Sequence, residues 1–359
     1  MSIVRKGWQE QFMLSAYLKE ATYDAGVAMT NSNAYSLYGF EIDKTWDDAV
    51  ATDKDEVTGY EHGNSQEIIS NRVGFTVRIP KAKPNDVAAF LGLAMGSITT
   101  VQDTPQVAYK HKIVPVAVGT ALPSAQVEHK KGGIQYAYKG IKCNRLTIRG
   151  ESGDDGSGLL SLEAELIGSG TRATSATAFA ATITENWLKL ANASVWKEAT
   201  TNISIDSTLT QGAENISSTT PTSLGARFKN FELTWNNNLK GQEGFGGLGV
   251  FQDIDYERRS AEFICTMLFN DATELDHYLN TDALALEIDL KSTTVVATSS
   301  IYYFGTSIII PRLKLRKAPM ADGGVNDSLL TTLEAEIFDD GTNKPVITET
   351  YNAKAAYLA

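Results

Sequence analysis

Two cysteines and four histidines are all that this 359-residue chain holds of the side chains that most often bind metals or close covalent bridges. Cys143 and Cys265 are too few and too far apart for a disulfide framework or a zinc site, and both read as small apolar residues in or beside strands. His62, His111, His129 and His277 stand in unrelated contexts, none at metal-ligand spacing. No glycine-rich phosphate loop ending in Lys-Ser/Thr is present, and Gly156-Ser157-Gly158 and Gly168-Ser169-Gly170 read as turns, not nucleophile elbows. Gly153-Asp154-Asp155-Gly156 and Ala321-Asp322-Gly323-Gly324 lack the acidic ladder of a calcium loop. The adjacent acids Asp47-Asp48 and Asp339-Asp340 fall in loops, so no acid/base pair is legible. The expectation is a protein without catalytic, metal or cofactor residues.

Positive charge is also scarce. The net charge of −11 argues against a protein that grips nucleic acid through its phosphates. It leaves open a protein that lets DNA pass without holding it. Arg5, Lys6, Glu10, Lys19 and Glu20 interrupt the N-terminus, which is therefore not read as a secretory signal. The one long uncharged run, Ser292 to Pro311, is dense in Ser, Thr and Tyr and ends in Ile308-Ile309-Ile310. That composition suits a buried strand pair better than a lipid-facing helix. Hydrophobic residues at 42% and charged residues at 21% are ordinary for a globular chain, so wholesale disorder is not expected.

What the chain does contain is an echo of itself. Arg145-Leu146-Thr147-Ile148-Arg149, a Gly/Asp/Ser-rich connector and Leu162-Glu163-Ala164-Glu165-Leu166 return as Arg312-Leu313-Lys314-Leu315-Arg316, a longer connector and Leu333-Glu334-Ala335-Glu336-Ile337. Upstream, Phe75-Thr76-Val77-Arg78-Ile79 with Val87-Ala88-Ala89-Phe90-Leu91 resembles Phe263-Ile264-Cys265-Thr266-Met267 with Leu275-Asp276-His277-Tyr278-Leu279. Phe40-Glu41-Ile42 likewise faces Phe231-Glu232-Leu233. Matched elements in one order predict a tandem β-β-α-β-β unit. The expected division is an N-terminal arm at 1–35, a first copy at 36–171, a Ser/Thr-rich connector at 172–223, a second copy at 224–342 and a tail at 343–359.

Period-two alternation predicts strands in which apolar residues face one way and charged ones the other. Arg145, Thr147 and Arg149 should lie beside Glu163 and Glu165 in a hairpin, and Arg312, Lys314 and Arg316 beside Glu334 and Glu336. These ten residues are the candidate wet face, lining an aqueous space. One short helix per copy is expected, started by Pro84-Asn85-Asp86 and by Asn270-Asp271, with Val87, Phe90, Leu91 and Leu275, Tyr278, Leu279 as sheet-covering stripes. One polar excursion completes each copy: Lys44 to Asn71 in the first, with Asp47, Asp48, Asp53, Asp55, Glu56 and Glu61, and Thr234 to Arg259 in the second, with glycines between Gly241 and Gly249. Connections of that length suggest arms that touch neighbouring subunits.

Lys19-Glu20-Ala21-Thr22-Tyr23-Asp24, Tyr109-Lys110-His111, Leu122-Pro123-Ser124 and Tyr138-Lys139-Gly140-Ile141-Lys142 leading into Arg145-Leu146-Thr147-Ile148 are, in that order, similar to the tail tube proteins of long-tailed bacteriophages, in the type with a duplicated tube domain. The resemblance implies a mainly β protein with minor α: two β-sandwich or barrel domains, each with one flanking helix. It further implies a structural virion protein, made in the host cytoplasm, whose rings stack into the tail. The strands would line a lumen through which DNA leaves without specific binding. Its partners would be itself, tail terminator, tape measure and baseplate proteins, with no membrane insertion. Six tube domains around the axis would need three such chains, or six if each gives one lumen domain. The competing expectations are the tube of a contractile injection device and a β-domain adhesin or carbohydrate-binding protein. In the adhesin, Trp8, Trp46, Trp187, Trp196 and Trp235 would form a sugar-stacking platform.

Overall fold

The computed structural model describes residues 10–30, 32–46, 49–52, 66–103, 107–152, 158–179, 185–199, 204–205, 211–212, 215–217, 222–225, 227–244, 249–269, 273–319 and 329–359. In chain order the first half holds strands β1 (Gln11–Leu14), β2 (Tyr35–Ser36) and β3 (Glu41–Trp46). The hairpin of β4 (Ala49–Thr52) and β5 (Gln66–Ser70) follows, then β6 (Val73–Ile79) and helix α1 (Pro84–Met95). Next come the hairpin of β7 (Gly96–Gln102) and β8 (Tyr109–Pro115), β9 (Ala125–Lys131), the long β10 (Ile134–Glu151), β11 (Leu160–Gly168) and β12 (Arg172–Thr174). The second half opens with β13 (Ala193–Ala199), the hairpin of β14 (Ser204–Ile205) and β15 (Ile216–Ser217), and β16 (Thr222–Ser223). It continues with β17 (Phe228–Asn236), the hairpin of β18 (Leu239–Gln242) and β19 (Asp253–Tyr256), β20 (Ser260–Leu268) and helix α2 (Thr273–Leu279). It closes with β21 (Leu284–Val295), β22 (Tyr303–Lys317), β23 (Leu330–Ile337) and β24 (Ile347–Asn352). The molecule is thus mainly β.

Alternation builds one long antiparallel sheet. In β6, β11, β17, β20 and β23 every second side chain is buried, so each strand has one dry and one wet edge row. They pair in the order β3-β6-β11-β10-β17-β20-β23-β22, eight strands without interruption, each antiparallel to the next. Only the C-terminal parts of β10 and β22 take part in it. Their N-terminal parts belong to a second layer, where β10 carries β9, β1 and β2 on one side and β12 on the other. The N-terminal part of β22 carries β21, β13 and β16 on one side, and β24, β8 and β7 on the other.

A strand that serves two layers has to bend, and both do so at irregularities in register. In β10 these fall between Tyr138 and Ile141 and between Cys143 and Arg145, beside Gly140 at φ +61°. In β22 the pairing with β21 slips between Leu286 and Leu284, opposite Pro311, whose ring cannot donate to a ladder. The two layers close on a shared core that runs through both halves, from Phe75, Val77, Leu146 and Ala164 to Phe231, Leu233, Phe263, Leu313 and Ala335. Cys143 and Cys265 are free thiols in that core, and burial holds both well above the usual thiol range. The uncharged run from Ser292 to Pro311 forms the turn and arm of the β21–β22 hairpin, dry from Gly305 onward.

The helices depart from expectation in opposite directions. Helix α1 is buried along its whole length, not on one stripe, because it lies between the layers. In α2 the expected stripe fails: Leu279 is 65% exposed and Tyr278 37%, while Glu274 is the buried residue, held by Lys197 at 2.9 Å and Arg227 at 3.3 Å. A buried carboxylate with two cations decides how a helix this short is rotated. The start signals Asn270 and Asp271 lie outside the described residues, as do the turns at 153–156 and 321–324, His62, and the acids Asp47, Asp48, Asp53, Asp55, Glu56 and Glu61. The second polar excursion contains β18 and β19 and docks on the first half of its own chain. Phe251 N donates to Ser169 O, Asn71 N to Gly249 O, and Lys142 Nζ to Ile254 O.

Candidate functional site: the charged face of the long sheet and its two edges

The wet face of the eight-stranded sheet carries ordered charge. Arg145 stands opposite Glu165 in the β10–β11 register and Thr147 opposite Glu163, with Arg145 Nη1 3.5 Å from Glu165. Across the other edge of β10, Thr147 meets Thr234 and Arg149 meets Glu232. One continuous set of contacts crosses five strands: Asp43 to Arg78 at 2.6 Å, Arg78 to Glu163 at 3.6 Å, Glu163 to Arg149 at 3.0 Å and Arg149 to Glu232 at 2.7 Å. The carboxylates raise both guanidinium pKa values, Asp43 chiefly at Arg78 and Glu232 chiefly at Arg149. Water screens exposed pairs of this kind, so each contributes little to stability. Their main effect is therefore on register and on the field above the sheet rather than on stability.

In the second half the expected partners are shifted. Lys314 faces Glu336, but it is Lys317, not Arg316, that reaches Glu334, at 2.8 Å. A register irregularity between Leu315 and Lys317 turns Arg316 to Glu262 at 3.1 Å. Arg312 lies beyond the end of this ladder, where its carbonyl accepts from Phe338 N. The strand register thus aligns Lys314, not Arg312, with Arg145, a displacement of two positions that keeps the same face. Sequence reading passed over Asp43, Arg78, Glu232, Glu262 and Lys317. The signal for the first four was present in the alternation of β3, β6, β17 and β20, whose polar residues join the same face, whereas Lys317 reaches it through the register irregularity in β22. Glu41, Asp43, Glu163, Glu165, Glu232, Glu262, Glu334 and Glu336 outnumber the cations, so the face is mixed and slightly acidic.

The sheet ends in two edges with no strand partner among the described residues. At one, β3 pairs only with β6, and Glu41, Asp43, Lys44 and Thr45 are exposed. At the other, the C-terminal part of β22 pairs only with β23, and Arg316 and Lys317 are exposed. Ile42 and Leu315, at these two edges, are half-buried against the core.

Among the described residues the tryptophans do not assemble a platform. Trp235 is buried, with Nε1 donating to Asn237 at 2.9 Å, and Trp196 is half-buried in β13. Trp187 is 42% exposed under the Lys81 ammonium, and the side chains of Trp8 and Trp46 lie outside the described residues. Among the described residues no group of three or more His, Cys, Asp or Glu side chains could hold a metal ion, and no helix is long and apolar enough to cross a membrane.

Comparison with known proteins adds an independent finding. A family model described as phage tail tube protein matches residues 15–343. No curated protein matches the chain. Among solved structures, it is similar to a chain of the anti-feeding prophage baseplate in a six-fold symmetrised cryo-EM structure, with 14% identity over 41% of this chain and 89% of that one. The TM-score is 0.28, too slight a likeness to bear on function.

Proposed function

Since the chain belongs to the phage tail tube protein family, a structural component of the virion tail, we propose that it assembles into stacked rings whose joined sheets line a conduit for DNA. The observation that carries this reading is the long sheet: wet and mixed in charge on one face, dry on the other, and without a strand partner at either end among the described residues. Open edges are an aggregation hazard in a monomer, and closure between copies removes them. A face that is near-neutral to acidic attracts a polyanion little, so DNA moves past it without sticking.

The two halves are read as copies of one unit, because the quartets β3-β6-β11-β10 and β17-β20-β23-β22 follow one order and the last strand of each continues into a second layer, where β9, β1 and β2 answer to β21, β13 and β16, and β12 answers to β24. Ring size follows from strand spacing. At ~4.8 Å per strand and a tilt near 40°, one chain closed on itself would have a backbone diameter of only ~16 Å, which side chains fill. Three chains give ~48 Å and a wide channel; six would give roughly twice that. Three chains, with pseudo-six-fold symmetry, therefore fit a duplex better than six.

Stacking of rings is heterologous and does not close, so it yields a filament. Tail terminator, tape measure and baseplate proteins are the proposed partners at its ends and in its lumen. Purified protein tests the reading: negative-stain micrographs should show rings or hollow filaments, and mass measurement of isolated rings should give three chains. Protein that stays monomeric at every concentration and binds glycans would instead favour an adhesin.

A further inference from the structure

We propose that the seam between neighbouring subunits copies the seam inside the chain, so that the C-terminal part of β22 pairs antiparallel with β3 of the next copy, with Leu315 opposite Lys44 and Lys317 opposite Asp43. The proposal rests on the tail tube reading and deepens it by naming the joined residues.

The register follows from two rows of paired residues. In the first half Ile42 faces Val77, Val77 faces Ala164, and Ala164 faces Leu146. In the second half Leu233 faces Phe263, Phe263 faces Ala335, and Ala335 faces Leu315. Position for position, Ile42 corresponds to Leu233 and Leu146 to Leu315. Inside the chain the quartets join where Leu146 meets Trp235, two residues beyond Leu233. The same step at the open edges brings Leu315 to Lys44, two residues beyond Ile42. The next pair inward, Thr147 with Thr234, becomes Lys317 with Asp43, because Thr147 and Lys317 face the corresponding carboxylates Glu163 and Glu334.

Burial and charge support this choice of partner. At the internal seam Leu146 and Leu233 are 1% and 2% exposed, whereas their counterparts Leu315 and Ile42 are only half-buried. A second copy would cover both, as the internal seam covers theirs. On the wet face the β3 edge presents Glu41 and Asp43 and the β22 edge presents Arg316 and Lys317, so the two ends of the sheet are opposite in charge there, while Lys44 alternates to the other face, where its Nζ donates to Tyr138 Oη. The pairing is head-to-tail, the kind of contact that makes a ring when the rotation from copy to copy closes.

Cysteine pairs test it. Seven strand spacings separate the two edges of one chain, roughly 34 Å along the sheet, far beyond the Cα separation of about 4.4–6.8 Å that a disulfide spans. The D43C/K317C variant therefore cross-links only between chains. The native thiols are buried and stay silent. Under mild oxidation of assembled protein, D43C/K317C should give a ladder on non-reducing gels that ends at the closed ring, while either single variant gives none. T147C/T234C should cross-link within one chain and report that the chemistry works at the same step of the internal seam. Rings that form normally while D43C/K317C stays uncross-linked and T147C/T234C closes would overturn the seam and leave the tube reading intact. Wild-type protein that makes no ring at any concentration would overturn both. As a second measure, D43K or K317D alone should raise the concentration needed for assembly about fivefold, and D43K/K317D together should recover part of that loss, the remainder reflecting the like charges each swap sets against Arg78 and Glu334 in its own chain.

Discussion

Single side chains in this molecule matter most where a polar group is taken out of water. Asn237 is fully buried, and its Nδ2 donates to Ala94 O and Cys143 O while its Oδ1 accepts from Trp235 Nε1. It ties the end of α1 to β10 and β17. Asn237→Ala should destabilise the fold by about 2–4 kcal/mol in denaturant titrations, since several buried partners lose their bonds together. Glu287 is a second case. It is buried in β21, accepts from Asn215 N at 2.8 Å and Asn215 Nδ2 at 2.6 Å, and burial lifts its pKa from the usual 4.5 to about 7. A carboxyl whose folded pKa is raised holds its proton more tightly in the native state. Its stabilising contribution is complete below about pH 4.5 and is lost as pH rises through about 7. Glu287 therefore lowers stability between about pH 4.5 and pH 7, against the opposite trend of buried His111, whose pKa burial lowers from 6.5 to about 4, and Glu287→Gln should remove the Glu287 part of that slope when melting is followed across the range. Asp86, lifted to about 6, and Glu185, lifted to about 7, both by burial at the start of α1, act in the same direction as Glu287.

Among the elements, β10 and the helices decide how the layers meet. Helix α1 ends at Gly96, whose φ is +85° and whose missing Cβ would lie 2.9 Å from Pro123 Cδ and Val116 Cγ1. Gly96→Ala should cost at least ~1 kcal/mol from the left-handed backbone alone, with more from the close contacts, and should lower the melting temperature. Leu279→Ala on α2 should leave it nearly unchanged, because that side chain is already in water. The existence of these elements was legible: alternation marked the strands, and Pro84 with Asp86 marked the start of α1. The rotation of α2 was not, because the Lys197 and Arg227 that hold Glu274 come from remote parts of the chain. The irregularity between Leu315 and Lys317 was equally hidden, since nothing local distinguishes Arg316 from Lys317 as the partner of Glu334. Pairs such as Arg145 with Glu165 could be read because a hairpin with a short reach leaves few alternative registers.

At the scale of the whole molecule the wet face acts through its summed field rather than through any one pair. Replacing Glu334 and Glu336 together by Lys would turn one sector of the proposed lumen basic. Tubes of that variant should retain duplex DNA in a sedimentation assay at low salt and release it as salt rises, whereas wild-type tubes should not retain it. What the amino-acid sequence determined unaided was the class of the protein: mainly β, acidic, and built from strands with one dry and one wet side, because side-chain alternation is a local property of the chain. Only the tertiary structure decided that β10 meets β17 edge to edge, that one core serves both halves, and that β3 and the end of β22 have no further strand partner among the described residues. Those outcomes depend on contacts between residues far apart in the chain, where register is settled by what packs beneath each strand.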